Sequence, residues 1–245
     1  MRRSVRIALC IAATALLPLL YLLAVGHGQA LSAQHWRRGL HGSGWRLLKE
    51  NELVEERQVF VDLLKHFSIP VLAIAIIDSD CPYVAAFSRR SSAAASDPYL
   101  LSLSQDQGAI LVVTPAAFKG MNIDEKKAVM AHEVRHISVI YHNVPGGPAP
   151  PSQKSEQERG GEIDSSISEE ERADITSATL AGPEAAKSAL LKFTKNERDY
   201  DEAHFTWLER KFMELAKHHD PPDTHGTLED RIAALEMFRF GLEKK

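Results

Sequence analysis

The feature that most constrains this chain is a long apolar helix pattern with ionisable residues at its centre. From Asn122 to Tyr141, apolar residues recur at helical spacing around most of the circumference, and charged residues occupy only a narrow side. The spacing predicts a largely buried helix. His132, Glu133 and His136 lie near its middle. Burying such groups is costly unless they are paired, so another part of the chain or a bound ion must complete their environment.

These three residues form an HExxH sequence, whose spacing suits a metal ion. Four residues advance an α-helix by about 400°, so the two imidazoles project from nearly the same face, one turn apart. In zinc sites of this kind both histidines bind the metal, and the glutamate holds and deprotonates a metal-bound water. The alternative is a pair of core histidines with partners inside the protein and a glutamate there by chance. We favour one Zn²⁺ per chain, bound by His132 and His136 beside Glu133.

A catalytic zinc also needs a third protein ligand, and His142 is the first candidate. His142 follows His136 by six residues, as in the longer HExxHxxGxxH pattern. However, Val139 stands where that pattern has the glycine that lets the chain turn away. A continuing helix would carry His142 roughly 15 Å along the axis from His132. We therefore reject His142 as a ligand.

The better candidate is acidic and lies further along the chain. Ser168 and Glu171 predict a capped helix start, and within that helix Glu170 and Asp174 form an i, i+4 pair on one face. Such a pair can supply a metal ligand together with a carboxylate that accepts the other N–H of a ligand histidine. The alternative is a solvated acidic first turn that only favours the helix dipole.

The N-terminus differs from the rest of the chain. Three arginines within the first six residues precede an uncharged stretch from Ile7 to Gly26. This stretch matches the roughly 20 residues that cross a hydrocarbon core and exceeds the roughly 7–15 apolar residues of a cleaved signal peptide. Residues 1–30 are therefore a single-pass membrane anchor, or a signal peptide with Gly28-Gln29-Ala30 at its cleavage site, or a buried hydrophobic helix. In the first two cases the remainder is exported, either anchored with the domain outside the cytoplasm or periplasmic or secreted.

Composition limits the class of partner. The net charge is −4, so the chain has no basic character of the kind that nucleic-acid binding needs. Expected partners are protein or peptide substrates and, through the N-terminal segment, the membrane. The two cysteines, Cys10 and Cys81, provide neither a disulfide framework nor a thiolate metal site. We interpret Cys81 as a packing residue, with a nucleophile as the alternative.

The order of apolar patterns predicts an α+β fold, mostly helical with a small mixed sheet, over residues 44–245. A segment rich in proline, glycine and serine, residues 143–167, is predicted to be a flexible loop. Strands are predicted at Val71–Ile77, Tyr83–Ser88 and Gly108–Thr114. Besides the central helix, helices are predicted at Trp45–Phe67, Ser168–Ala181, Pro183–Thr194, Glu202–His218 and Leu228–Phe240.

Four segments in the same order resemble the HtpX and CaaX prenyl endopeptidase family of zinc metallopeptidases, gluzincins that combine HExxH with ExxxD. The resemblance covers about Ser68 to Leu235. The segments are GAILVVT at 108–114, DEKKAVMAHEVRHI at 124–137, EERADITSATLAG from Glu170 and THGTLEDRIAAL at 224–235. The resemblance implies a zincin-like metallopeptidase domain in which His132, His136 and Glu170 bind zinc, Glu133 is the catalytic base and Asp174 supports the ligands.

The last segment also implies roles for two later residues. His225 and Arg231 match a histidine and an arginine that close the family's active site, and we assign them catalytic roles, with orientation of the last helix as the alternative. Two departures affect the comparison: Gly226 replaces the usual proline, and Ala85-Ala86-Phe87 stands where the family often has Asn-Ala-Phe. The chain also lacks the additional transmembrane helices of the HtpX proteins themselves.

These expectations define one leading function and two rivals. The leading function is a zinc-dependent endopeptidase that hydrolyses peptide bonds of envelope proteins through a metal-activated water. GAILVVT would be the edge strand along which an extended peptide pairs. The first rival is a non-catalytic metal-binding assembly or chaperone-like factor of the cell envelope. The second is a structural protein without metal. Glu133 favours the enzyme, because zinc binding alone does not require that residue.

Overall fold

The structure, a computed structural model, describes residues 20–31, 45–49, 51–88, 109–142, 168–217 and 227–243. In these ranges the chain forms seven α-helices and four β-strands, which confirms the mostly helical α+β class. The strands are β1 (Trp45–Leu47), β2 (Val71–Ile77), β3 (Val84–Ser88) and β4 (Ala109–Val113). The helices are α1 (residues 20–31), α2 (Val54–His66), α3 (Ile123–His142), α4 (Glu169–Ala181), α5 (Pro183–His204), α6 (Trp207–Lys217) and α7 (Leu228–Glu243).

The four strands form one mixed sheet in the order β1-β2-β4-β3. β2 and β4 are parallel, whereas β1 and β3 each pair antiparallel with a neighbour. The prediction that Gly108–Thr114 is the edge strand is therefore wrong, because β4 lies between β2 and β3. The reason is its composition: a strand buried on both faces reads as a continuous apolar run, and all four residues from Ile110 to Val113 are at most 1% exposed. β3 is the outer strand on that side of the described sheet.

The segment predicted as one helix from Trp45 to Phe67 divides into a strand and a helix. β1 pairs with β2, and α2 begins only at Val54. Leu48, which fitted the helical spacing, belongs to the main core instead, and its N–H donates to the carbonyl of Ile74 at 2.9 Å. Pairing with the sheet thus satisfies backbone groups that a longer helix would have used internally.

The main core lies between alternate side chains of the sheet and helices α2 and α3. Its members share near-complete burial and an aliphatic or aromatic character; they include Phe60, Leu63, Leu64, Ile74, Ile76, Leu111, Val113, Met130, Val134 and Ile137. This packing holds α3 against the sheet along its apolar side. The helix is therefore fixed in rotation, and the direction in which its histidines project is fixed with it.

Capping boxes confirm the predicted starts of α3 and α4. At α3 the Asn122 N–H donates to a Glu125 carboxylate oxygen at 2.7 Å, and the Glu125 N–H donates to Asn122 Oδ1 at 3.0 Å. At α4 the same exchange joins Ser168 and Glu171, at 2.7 and 3.2 Å. α3 then continues through residue 142, as expected for a chain with valine rather than glycine at position 139.

The boundary between α5 and α6 differs from the prediction. α5 runs to His204 instead of ending near Thr194, and α6 begins at Trp207 instead of Glu202. Thr206 explains the later start: its hydroxyl accepts the Glu209 N–H at 3.3 Å, and the Glu209 carboxylate accepts the Thr206 N–H at 2.7 Å. α7 also extends beyond its predicted end, to Glu243.

The chain divides into two compact units. One contains Met1–Gly42 with Asp199–Asp223, and the other contains Ser43–Arg198 with Thr224–Lys245. The predicted domain limits at residues 30 and 44 stay a prediction, and the predicted loop 143–167 lies outside the described residues. Among the helices that the structure describes, none is both long enough and apolar enough to cross a membrane.

Candidate metal centre

The site forms where helix α3 packs against helix α4. Small residues of α4 face α3 at this contact: Ala173 and Ala178 are at most 2% exposed. The Ser177 hydroxyl donates to the carbonyl of Ala128 at 2.8 Å, so it joins the two helices directly. Because the contact is close, the acidic first turn of α4 comes alongside the histidines of α3.

His132 and His136 project from α3 towards the same point. Their Nε2 atoms are 3.1 Å apart, and their rings lie edge to face with centroids 4.8 Å apart. This agrees with the projection expected for residues one turn apart on a helix. Both side chains are largely buried, with 12% of His132 and 25% of His136 exposed. Two ring nitrogens therefore meet in a space with little access for water.

Glu170 of α4 closes the group from the opposite side. One carboxylate oxygen is 3.1 Å from His132 Nε2, and the other is 3.3 Å from His136 Nε2. Ligand atoms bound tetrahedrally at about 2.0 Å from an ion lie about 3.3 Å from one another. The separations of 3.1 to 3.3 Å around this group agree with that spacing. His132, His136 and Glu170 could therefore hold a metal ion.

Asp174 supports the group from behind His132. Asp174 Oδ1 is 2.9 Å from His132 Nδ1, while Arg231 of α7 donates to both oxygens of the same carboxylate, each at 2.7 Å. Burial raises the pKa of Asp174, but the hydrogen bonds from Arg231 and His132 together lower it by more. The pKa of Asp174 is therefore below its ordinary value. Ionised Asp174 accepts the Nδ1 proton of His132, which leaves Nε2 facing Glu170 and His136.

The protonation of His132 shows how strongly this environment favours positive charge. Burial lowers the pKa of His132, but hydrogen bonds to Asp174 and Glu170 and the charge of Glu133 raise it more. The net result is a pKa of about 9 without a metal. A proton on Nε2 thus occupies the place that a cation would take, and metal binding would displace it.

Glu133 is half-buried on the same helix, and its charge reaches several groups around the site. It contributes to the raised pKa values of His132 and Arg231. It also acts on Tyr83, whose pKa is raised first by burial and then by the charges of Glu133 and Cys81. Glu133 therefore stands close to the imidazole pair without belonging to the ligand group.

Tyr83 is a neighbour of the site that the sequence did not reveal. It directly precedes β3, and Thr114 holds its backbone: the Tyr83 N–H donates to Thr114 Oγ1 at 2.9 Å, and the Thr114 N–H donates to the carbonyl of Tyr83 at 2.9 Å. Thr114 is fully buried at the end of β4. This pairing spans 31 residues, and no local motif marks it.

The structure brings together most of the predicted site residues. His132, His136 and Glu170 form the ligand group, with Asp174 behind it and Glu133 beside it. Arg231 lies at Asp174, and its guanidinium is 3.5 Å from His132 Nδ1. His225 falls outside the described residues, and so does the side chain of His142.

Comparison with known proteins adds no assignment. No family model matches this chain, and no curated protein matches its sequence. The geometry of the site must therefore carry the functional argument.

Proposed function

We propose that this protein is a zinc-dependent endopeptidase that hydrolyses peptide bonds of envelope proteins. The observation that carries the proposal is that the ligand atoms of His132, His136 and Glu170 meet at one point. Asp174 is hydrogen-bonded to the other ring nitrogen of His132, Nδ1. Two imidazoles and one carboxylate are ligands that zinc commonly has in hydrolytic enzymes. Three protein ligands leave a fourth position for water or substrate.

The chemistry assigned to the residues follows from their positions. Zinc bound at this group would lower the pKa of a water molecule and polarise the carbonyl of the scissile bond. Glu133, half-buried beside the imidazole pair, would serve as the base that takes a proton from the attacking water and returns it to the leaving amine. Asp174 fixes the tautomer of His132, and Arg231 fixes Asp174. The family resemblance implies that His225 would contact the substrate or the metal.

An extended peptide is the form of substrate that the fold suits best. β3 is the outer strand beside β4, and α3 packs against it. A peptide in extended conformation would add to β3 through backbone hydrogen bonds, and its side chains would enter pockets at alternate positions. This replaces β4 with β3 as the strand that receives the substrate. Backbone pairing does not depend on one particular side chain. It therefore suits unfolded protein segments as substrates.

The cell envelope is the proposed location. The argument comes from the uncharged stretch at residues 7–26 after three arginines, and from the resemblance to the zincin-like HtpX and CaaX prenyl endopeptidase family. The rival, a metal-binding assembly factor, would have the same ligand group. Glu133 distinguishes the two, since a factor that only binds metal has no need for a carboxylate beside the imidazole pair.

The test is hydrolysis of casein and quenched peptides by the full-length protein in detergent, together with its metal content. We expect about one zinc per chain and cleavage that stops when the metal is chelated. Glu133→Gln should retain zinc and lose about 10³-fold in kcat/KM, because proton transfer is lost while the ligands remain. Equal cleavage by the two proteins would rule out the assigned mechanism. A zinc-loaded wild type without peptidase activity would favour the assembly factor.

A further inference from the structure

A second feature of the chain concerns the N-terminal segment and is independent of the metal centre. In the unit that contains residues 20–31 and 199–217, helix α1 provides part of the apolar core. Leu31 is 7% exposed and packs with Phe205 and Met213, while Tyr200 and Phe212 contact the cluster from its edge. Val25 is also buried, so one face of α1 is turned inwards along much of its described length.

Glycine allows the close approach of α1 to α6. A Cβ atom at Gly28 would collide with the carbonyl group of Phe212 and lie 2.9 Å from the Ala216 side chain. The neighbouring His27 ring meets the Phe212 ring edge to face, with centroids 5.3 Å apart. Gly26, two residues earlier on the same helix, has nothing within 4 Å of its Cβ position. The contact is therefore specific to the face of α1 that carries Gly28.

The packing of α1 bears on whether residues 1–30 are removed as a signal peptide. Cleavage after Ala30 would detach Val25 and Gly28 from the unit and uncover the face of α6 that carries Phe212 and Ala216. A segment that is removed after export cannot contribute side chains to the core of the mature protein. Residues 28–30, the candidate cleavage site, lie within the packed helix α1. In a cleaved signal peptide these three residues would be removed with the peptide.

At the N-terminal end of the described part of α1, the side chains are exposed instead of buried. Leu20, Tyr21, Leu22 and Leu23 are 59%, 43%, 65% and 62% exposed. Four consecutive helical positions are 100° apart, so together they surround the helix and leave no polar face. A helix that is apolar all round belongs in a protein core or in lipid. Since the part of the chain that the structure describes leaves Leu20, Leu22 and Leu23 each more than half exposed, and the uncharged stretch from Ile7 leads into them, the lipid bilayer is the occupant that fits.

We propose that α1 is retained as the end of a membrane anchor, which leaves the bilayer near Leu23 and docks on α6 through Val25, Gly28 and Leu31. Within this unit, the anchor is then joined to α6 by a packed helix contact. This proposal does not depend on peptidase activity, and its tests do not use that activity.

The first test is the intact mass of the full-length protein recovered from bacterial membranes. We expect the complete chain of 27.2 kDa. A mature chain that begins at Leu31 would overturn the proposal.

Lipid contact is measured in vesicles that contain nitroxide-labelled lipid, with a fluorescent probe on Leu22→Cys or Ala30→Cys in a Cys10→Ser background. Strong quenching at position 22 and weak quenching at position 30 are expected. Equal quenching at both positions would overturn the bilayer exit at Leu23.

The second test measures docking by a disulfide between Leu31→Cys and Met213→Cys, again with Cys10→Ser. Gly26→Ala and Gly28→Ala are the matched variants, since both replace a helical glycine and raise helix propensity equally. Only Gly28→Ala introduces the collision, so we expect it to reduce the cross-linked fraction about fivefold or more, while Gly26→Ala leaves it unchanged. Equal cross-linking in the two would overturn the docking. Circular dichroism of each variant excludes general unfolding as the cause of a loss.

Discussion

Two buried carboxylate clusters lie along helix α3, and they differ in the source of their positive charge. At its start, Glu125 is 4% exposed and both of its oxygens lie 2.8 Å from Lys192 Nζ, while the Ser188 hydroxyl donates to it at 2.5 Å. Beside its middle, Glu170 of α4 is 5% exposed and lies against the two imidazoles of α3 at 3.1 and 3.3 Å. The carboxylate of the first cluster is paired with a lysine, whereas the carboxylate of the second lies against imidazoles, which are charged only when protonated.

The difference distinguishes a structural ion pair from a group that could hold a metal ion. Burial raises the pKa of Glu125, but Lys192, Ser188 and Asn122 together hold it below its ordinary value. That cluster is complete without any addition. Arg231 supplies the cluster around Glu170 with a fixed positive charge, and a proton on His132 or a cation between the imidazoles would supply a second, exchangeable one. We infer that an exchangeable charge, rather than burial alone, marks the functional carboxylate of this protein.

The largest expected effect comes from removing the ligand charge at Glu170. Glu170→Gln leaves the volume of the side chain nearly unchanged but removes the negative charge that would balance a bound metal. We expect zinc affinity to fall at least about 100-fold, because losing a direct ligand should exceed the 10–100-fold effect of losing a residue that only orients one. The measurement is a competition titration against a chromophoric chelator.

Glu169→Gln is the matched control for that variant. Glu169 precedes Glu170 on the same turn, but its side chain is 42% exposed and faces Arg135 at 3.4 Å. We expect its zinc affinity to equal that of the wild type. A comparable loss in both variants would mean that the acidic turn acts through its total charge, and the distinction between the two clusters would then fail.

The second prediction concerns stability and leaves the metal centre intact. Glu125→Gln breaks the charged pair with Lys192 and should lower the free energy of unfolding by about 2 kcal/mol. Zinc affinity should not change. Because the pKa of Glu125 is lowered by folding, its contribution is present above the ordinary value of 4.5 and is lost as the pH falls through the lowered value. Urea titrations between pH 7 and pH 3 should therefore show that wild type and variant converge in acid. A constant difference across that range would contradict the assignment.

The sequence predicted the parts of this site that depend on local periodicity. The HExxH spacing and the capping residues Asn122 and Ser168 each concern residues within one or two helical turns. Their geometry follows from the α-helix itself, so these predictions required no knowledge of the tertiary structure. The pair Glu170 and Asp174 belongs to the same class. The burial of α3 was predictable as well, because apolar residues cover most of its surface.

The parts that the sequence could not supply depend on distant contacts. β4 lies inside the sheet because of a strand order that no local pattern encodes, and a buried apolar run alone does not identify its neighbours. Tyr83 lies within reach of the charge of Glu133, and its backbone is held by Thr114, 31 residues away. Arg231 meets Asp174 across 57 residues, and only the family resemblance had drawn attention to it. Even then, the resemblance implied a catalytic role or orientation of the last helix, and it did not predict the pairing with Asp174.

The smallest predicted effect tests whether Arg231 acts through the geometry of Asp174. Arg231 donates from two nitrogens to both Asp174 oxygens, an arrangement that a planar guanidinium can form and an ammonium group cannot. Arg231→Lys retains the charge but loses the two parallel hydrogen bonds, so Asp174 should hold His132 less firmly. We expect zinc affinity to fall about 10-fold.

Arg239→Lys is the control, because Arg239 lies on the same helix α7 and pairs with Glu184 at an exposed position. That pair is open to water, so the change should leave zinc affinity as it is in the wild type. If both substitutions lowered the affinity equally, the cause would be the packing of α7. If neither did, the charge of Arg231 would be enough, and Asp174 would need no bidentate partner to orient the imidazole.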